Sequence, residues 1–182
     1  MSRLAALQPP YPPEIQQQFD RIMRGAPPLM LFRVIAGNAR AWEKFRAGSL
    51  LDRGPLSLRD REIVIDRTCA LTGCEYEWGV HVRAFGDAAR LTDQQVRATV
   101  LSEAAAPCWS AAEQALIAAA DALHFRATLD DAEFEALSAH FDEAQIFEGI
   151  LLCGFYRTVS YLANGPNLPL EDKAARFPAT RP

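Results

Sequence analysis

Apolar residues along the chain recur at intervals of three and four, as at Phe134, Leu137 and Phe141, a spacing that gathers them on one stripe of a helix. The segments of this kind open on side-chain caps. A Ser, Thr or Asp three residues ahead of an acid or amide satisfies amides left unpaired at a helix N-terminus. Such pairs stand at Ser57/Asp60, Thr72/Glu75, Thr92/Gln95, Ser110/Glu113, Asp130/Glu133 and Asp142/Gln145. No convincing alternation of apolar and polar residues is present. The only Asn-Gly pair, Asn164-Gly165, runs into Pro166 and reads as a helix stop, so the expected fold class is all-α. The expected helices span about 14–24, 28–47 (with Gly37 as a candidate break), 58–71, 73–88, 93–103, 111–126, 131–141 and 143–164, which makes a compact bundle of about eight.

The 182 residues are 49% apolar and carry a net charge of −4, an ordinary balance for one globular domain over 1–182 with a Pro-containing C-terminal arm at 166–182. That arm is expected either to extend into solvent or to wrap a neighbouring subunit. Mild acidity without a basic cluster argues against a nucleic-acid partner. The opening MSRLAALQPPYPP breaks into prolines before an apolar stretch forms, so it reads as no secretory signal, and the cytoplasm is the expected compartment. The apolar stretch 146–163 contains Glu148 and Arg157, and it reads as a buried helix, with a subunit contact as an option, and not as a membrane span. Cys69, Cys74, Cys108 and Cys153 have no CxxC spacing, so a disulfide framework is not expected.

Unusual residues concentrate between Arg61 and His81. With Thr72 as a helix cap, Cys74 falls in the first turn, where free amides and the helix dipole favour a thiolate and make a reactive cysteine. Cys74, Glu77 and His81, spaced by three and four, share one helix face. The short connection Leu71-Thr72-Gly73 predicts an antiparallel hairpin that reflects Glu62 onto His81. A carboxylate on one imidazole nitrogen fixes the tautomer and leaves the other nitrogen for proton transfer, the arrangement of a general acid/base site.

Glu62, followed twelve positions later by Cys74, then Tyr76-Glu77-Trp78 and His81, with Leu71-Thr72-Gly73 ahead, resembles the carboxymuconolactone decarboxylase and alkylhydroperoxidase D superfamily. The resemblance is strongest over about 55–100 and extends more weakly through Trp109, the stretch from Ala118 to Asp121, and Tyr156 to Asn164. It implies an alkylhydroperoxidase D-like bundle, with Cys74 at the first redox cysteine, Glu62 and His81 at the relay Glu and His, Glu77 in place of the second cysteine, and Tyr76 at a further His of some members. An internal disulfide on that motif is thereby impossible. The Cys-x-Tyr-Glu-Trp-x-x-His pattern is similar to a large subgroup named after the decarboxylase. The resemblance further implies a homo-oligomer, a trimer being favoured over a hexamer.

The leading expectation is a cofactor-free enzyme acting on a small carboxylated or lactone-like substrate. Glu62 would orient His81, Glu77 would assist, and Cys74 would shape the pocket. The alternative is a peroxiredoxin-like thiol peroxidase with Cys74 as the attacking thiol and Cys69 as a candidate resolving thiol, although packing in the core is the simpler fate of Cys69. A non-catalytic binding protein of the same fold is the third reading. Glu62, Cys74, Glu77 and His81 have donor types that suit zinc, but two helical turns separate Cys74 from His81, so no metal is expected. Cys108, Cys153, His124 and His140 read as structural.

Overall fold

In the computed structural model, which describes residues 2–101 and 104–179, the periodic segments form nine helices and no strand among the described residues. They are α1 (Pro13–Met23), α2 (Met30–Ala36), α3 (Ala39–Ala47), α4 (Leu58–Leu71), α5 (Glu75–Phe85), α6 (Asp93–Leu101), α7 (Ala111–Arg126), α8 (Asp131–Ser138) and α9 (Glu143–Asn164). The all-α expectation holds. The ninth helix arises because 28–47 divides: α2 ends at Gly37, and the Asn38 side chain caps α3 by accepting from the Ala41 amide at 2.9 Å. Reciprocal capping boxes form at Ser110/Glu113, Asp130/Glu133 and Asp142/Gln145, and Thr92 and Gln95 exchange the same pair of bonds. Each such cap contributes about 1 kcal/mol. The expected end of the 93–103 helix lies outside the described residues beyond Leu101.

The central element is α4, packed against α5, α6, α7 and α9, and every residue from Arg61 to Cys69 is buried. A helix enclosed on all sides is normally apolar all round, yet this one carries Arg61, Glu62, Asp66 and Arg67. Such charges need partners inside the protein. Arg67 holds Asp121 of α7 through two bonds of 2.6 and 2.9 Å and donates to the Thr99 carbonyl of α6 at 3.0 Å. Arg59, at the rim, reaches Glu113 of α7 at 2.6 Å. These pairs fix α4 against α6 and α7, while Ile65, Leu152, Val159 and the Phe19–Trp42–Phe45–Phe155 ring cluster fill the principal core.

Helix α9 corrects the expectation of a buried helix. Ile146, Gly149, Leu152, Tyr156, Val159, Ser160 and Ala163 face inward, but Phe147, Leu151 and Tyr161 are exposed by 64%, 45% and 59%. By length and composition it could cross a membrane, yet its inner stripe is core packing against α4, α5 and α7.

The C-terminal arm also departs from both expected courses, because it folds back along the outer face of α5. The Ala175 amide donates to the Gly79 carbonyl at 3.0 Å, the Phe177 amide donates to Glu75 Oε1 at 3.0 Å, and the Phe177 ring lies 5.1 Å from that of Trp78. Glu171 accepts from the Tyr76 hydroxyl and from the Met30 amide, at 2.5 and 2.6 Å. The arm approaches so closely that any Cβ at position 79 would collide with the Ala175 carbonyl.

Candidate active site

The α4–α5 hairpin forms as the short connection predicts. Gly73 takes a left-handed φ of +62°, which an L side chain rarely adopts, and the Cys74 amide donates to the Cys69 carbonyl at 2.8 Å. Thr72 does not cap α5. Its hydroxyl turns back to the Thr68 carbonyl at 2.9 Å and lies 2.8 Å from Ser160 Oγ, and Cys74 itself is the N-cap residue. The helix accordingly starts later than expected, at Glu75.

Reflection about this turn places Glu62 on His81, as the spacing predicts. Glu62 Oε2 lies 2.7 Å from His81 Nδ1, with both side chains buried. Glu62 Oε1 accepts from the Arg61 guanidinium at 3.0 and 3.1 Å. The far nitrogen of the imidazole is not free, because Nε2 faces Glu77 Oε1 at 3.5 Å. This is the contact that the four-residue spacing of Glu77 and His81 on one helix face allows, an i,i+4 pair. An imidazole between two carboxylates holds its proton tightly. Burial opposes its charge, but the hydrogen bond to Glu62 and the negative charges of Glu62 and Glu77 win and push His81 up to about 10. The edge of Tyr156 and the ring of Phe85 enclose it at 5.0 and 5.2 Å.

Cys74 lies in the same enclosure with its side chain fully buried. The expectation of a thiolate is corrected here. The amides of Glu77 and Tyr76 and the Ser160 hydroxyl do favour ionisation, but burial outweighs them and raises the thiol above its usual range. Cys69 is raised further by burial and by the negative charge of Glu77, and it lies beside the same Ser160 hydroxyl. Cys153 is elsewhere, in an apolar cleft that includes Val64, Leu116 and Ile146, where burial pushes its thiol up to about 11. His124 is held below the usual histidine range by burial and by Arg157, consistent with a structural role.

One further residue belongs to this enclosure and went unread in the sequence. Asp66 stands four residues after Glu62 on the face of α4 that carries Glu62 and Cys69. It is 1% exposed, and neither carboxyl oxygen has a hydrogen-bond partner. Burial raises its carboxyl well above the usual range, against the attraction of His81 and with the repulsion of Glu62. The signal was present as an acid flanked by Ile63-Val64-Ile65 and Cys69, one turn from a relay acid. Among the described residues no cluster of three or more His, Cys, Asp or Glu side chains suits a metal ion.

The sequence profile of the carboxymuconolactone decarboxylase family matches residues 36–121, a span that includes the whole α4–α5 hairpin. No curated protein matches the chain. Among solved structures, an uncharacterized peroxidase-related protein from Silicibacter sp. TM1040 superposes with a TM-score of 0.83 at 19% identity, covering 97% of this chain and 96% of its own. An alkylhydroperoxidase AhpD core protein from Ralstonia eutropha JMP134, also an uncharacterized peroxidase-related protein, superposes with a TM-score of 0.78 at 20% identity, covering 94% and 93%. A cysteine-to-alanine variant of the debrominase Bmp8, in complex with 2,3,4-tribromopyrrole, reaches a TM-score of 0.73 at 14% identity, covering 95% and 94%. At these identities the likeness is one of fold, and the profile match adds the motif-bearing segment to it. Residues 36–121 are therefore similar to the carboxymuconolactone decarboxylase family, and the chain as a whole shares the fold of these alkylhydroperoxidase D-like structures.

Proposed function

We propose that the protein is an acid–base enzyme acting, without a dissociable cofactor, on a small carboxylated or lactone-like substrate. The observation that carries this reading is the unequal grip on the His81 ring: Nδ1 is fixed on Glu62 at 2.7 Å, whereas Nε2 meets Glu77 at 3.5 Å, beyond good hydrogen-bond distance. The Nε2–H, with no close acceptor, is the proton directed at a substrate atom. In a decarboxylation, the C–C bond to the carboxylate breaks, CO₂ leaves, and the electron pair on carbon takes the Nε2 proton. Water then restores the imidazolium, with Glu77 as the shuttle through its uncommitted Oε2. Arg61 on Glu62 keeps that carboxylate in place throughout. Cys74, buried in the same enclosure, shapes it.

The test is a screen of small carboxylates and lactones for CO₂ release or ring opening, repeated with Glu62→Gln, Glu77→Gln and His81→Asn. Loss of 10²-fold or more in the His81 variant is expected for a general acid. Turnover that survives His81→Asn sinks the reading.

A second reading, a thiol peroxidase, draws on the placement of Cys69 and Cys74 beside one Ser160 hydroxyl and on their direct backbone hydrogen bond. In that chemistry the Cys74 sulfur takes one oxygen of a hydroperoxide, releasing an alcohol. Cys69 then displaces water from the sulfenic acid to form a disulfide, and an external dithiol reduces it. The burial and raised proton affinity of both thiols favour the acid–base reading over this one. The exposed face of α9 is the surface we assign to self-association, which the mass of the assembly in solution tests.

A further inference from the structure

The ionic set at the centre of the site closes on itself. Arg61 and His81 bring two formal positive charges, Glu62 and Glu77 bring two negative, and each of the four touches another member of the set. Asp66 is left over. The charged or titratable groups that face it are His81 from α5 and Glu62 and Cys69 from its own helix. Arg67, its neighbour in sequence, is engaged by Asp121 and the Thr99 carbonyl. An uncompensated carboxylate with no hydrogen bond in so enclosed a place is strongly disfavoured, so the group stays a carboxylic acid. As an acid it has one donor and one acceptor, and neither is used within the protein. Glu77 Oε2, also buried and unpartnered, is a second uncommitted oxygen in the same site.

We propose that Asp66 is a substrate-binding residue of this site, a neutral acid whose O–H donates to an oxygen of the bound molecule, the carbonyl of a lactone or of an acid, and to the enolate oxygen formed when the adjacent carbon is left with an electron pair. Two acids one helical turn apart thus take opposite roles. Glu62, tied to Arg61 and His81, orients the proton-bearing ring, and Asp66, tied to nothing, binds the oxygen on which charge develops. Environments that push neighbouring carboxyl groups apart in proton affinity are how one site holds both a charged and a neutral acid at one pH. The donation strengthens as the ligand oxygen becomes negative, so it favours the transition state over the bound substrate. The inference rests on the acid–base reading for its substrate class.

The experiment is isotope-edited infrared spectroscopy of the full chain with aspartate labelled at the side-chain carboxyl, on wild type and Asp66→Asn, with γ-butyrolactone as the probe. At neutral pH the wild type is expected to show one carboxylic-acid C=O band that Asp66→Asn lacks, and the probe should displace that band to lower frequency. Only carboxylate bands at neutral pH overturn the proposal, as does an acid band that γ-butyrolactone leaves unmoved up to molar concentration. The wild-type acid band and its shift with the probe need no variant, so a poorly folding Asp66→Asn does not spoil the test. The band is read without turnover. Turnover persisting in His81→Asn would remove the acid–base reading while the band and its shift stood, and an unmoved band beside His81-dependent turnover would remove only the role of Asp66.

Discussion

Glu62 Oε2 and His81 Nδ1 meet at 2.7 Å across nineteen residues of sequence, inside a site where the two side chains are 1% and 3% exposed. Everything else in the enclosure is arranged around that contact. Arg61 holds the far oxygen of Glu62, Glu77 faces the far nitrogen of His81, and the rings of Phe85 and Tyr156 exclude water from the imidazole.

The contact fixes the protonation of His81. In wild type the ring is expected to titrate near 10, because the two carboxylates overcome the penalty of burial. Removing the charge in Glu62→Gln leaves burial less opposed, so the ring should titrate far lower, toward the ordinary histidine value of about 6.5. The ring signals of His81 followed by NMR against pH check this, and an unchanged titration in Glu62→Gln would show that Glu62 does not control the proton.

Stability should fall with rising pH on the alkaline side. The folded His81 holds its proton to about 10 while the unfolded one releases it near 6.5, so the stabilisation is complete below the unfolded value and lost as pH climbs through the folded one. Asp66 acts in the same direction: its folded proton affinity is raised, so its contribution is present in acid and declines above about 4. Glu113 acts oppositely. Burial raises its carboxyl, but the Ser110 and Arg59 hydrogen bonds outweigh burial and lower it, so its contribution is lost as pH falls through the carboxylate range. The melting temperature is therefore expected to peak in mild acid, and Asp66→Asn should raise it at alkaline pH and flatten that limb. A limb equally steep in Asp66→Asn would contradict the assignment.

Cys74 is expected to resist alkylation at neutral pH in the folded protein, since the thiol is enclosed and its proton held above the usual range. Intact-mass analysis after brief iodoacetamide treatment, against the same protein in denaturant, gives the comparison. Rapid labelling of folded Cys74 would put the thiol-peroxidase reading ahead of the acid–base one.

The C-terminal arm is expected to hold α5 in register from behind. Gly79→Ala drives a methyl group into the Ala175 carbonyl, so the arm must lift or the helix must shift. Overpacking of this kind costs about 1–3 kcal/mol, and a denaturant midpoint measures it. An unchanged midpoint would mean that the arm contributes no stability.

The sequence by itself determined the helical class, most helix starts and the Glu62–His81 pair, because each rests on local rules: three-and-four periodicity, caps three residues apart, and a turn too short for anything but an antiparallel hairpin. Gly37 signalled the break between α2 and α3 for the same reason. Only the tertiary structure decided the state of the chemistry. Position in the first turn argued for a Cys74 thiolate, but the thiol is buried with Ser160 of α9 beside it, and that desolvation depends on a distant helix. Glu77 turned out to face, at 3.5 Å, the nitrogen expected to be free, because a side chain's direction within a packed hairpin is set by its neighbours. Asp66 was one acid among many along the chain until α4 proved buried on every face. Whether a charge has a partner is a property of the assembled interior and not of the spacing that brings it there.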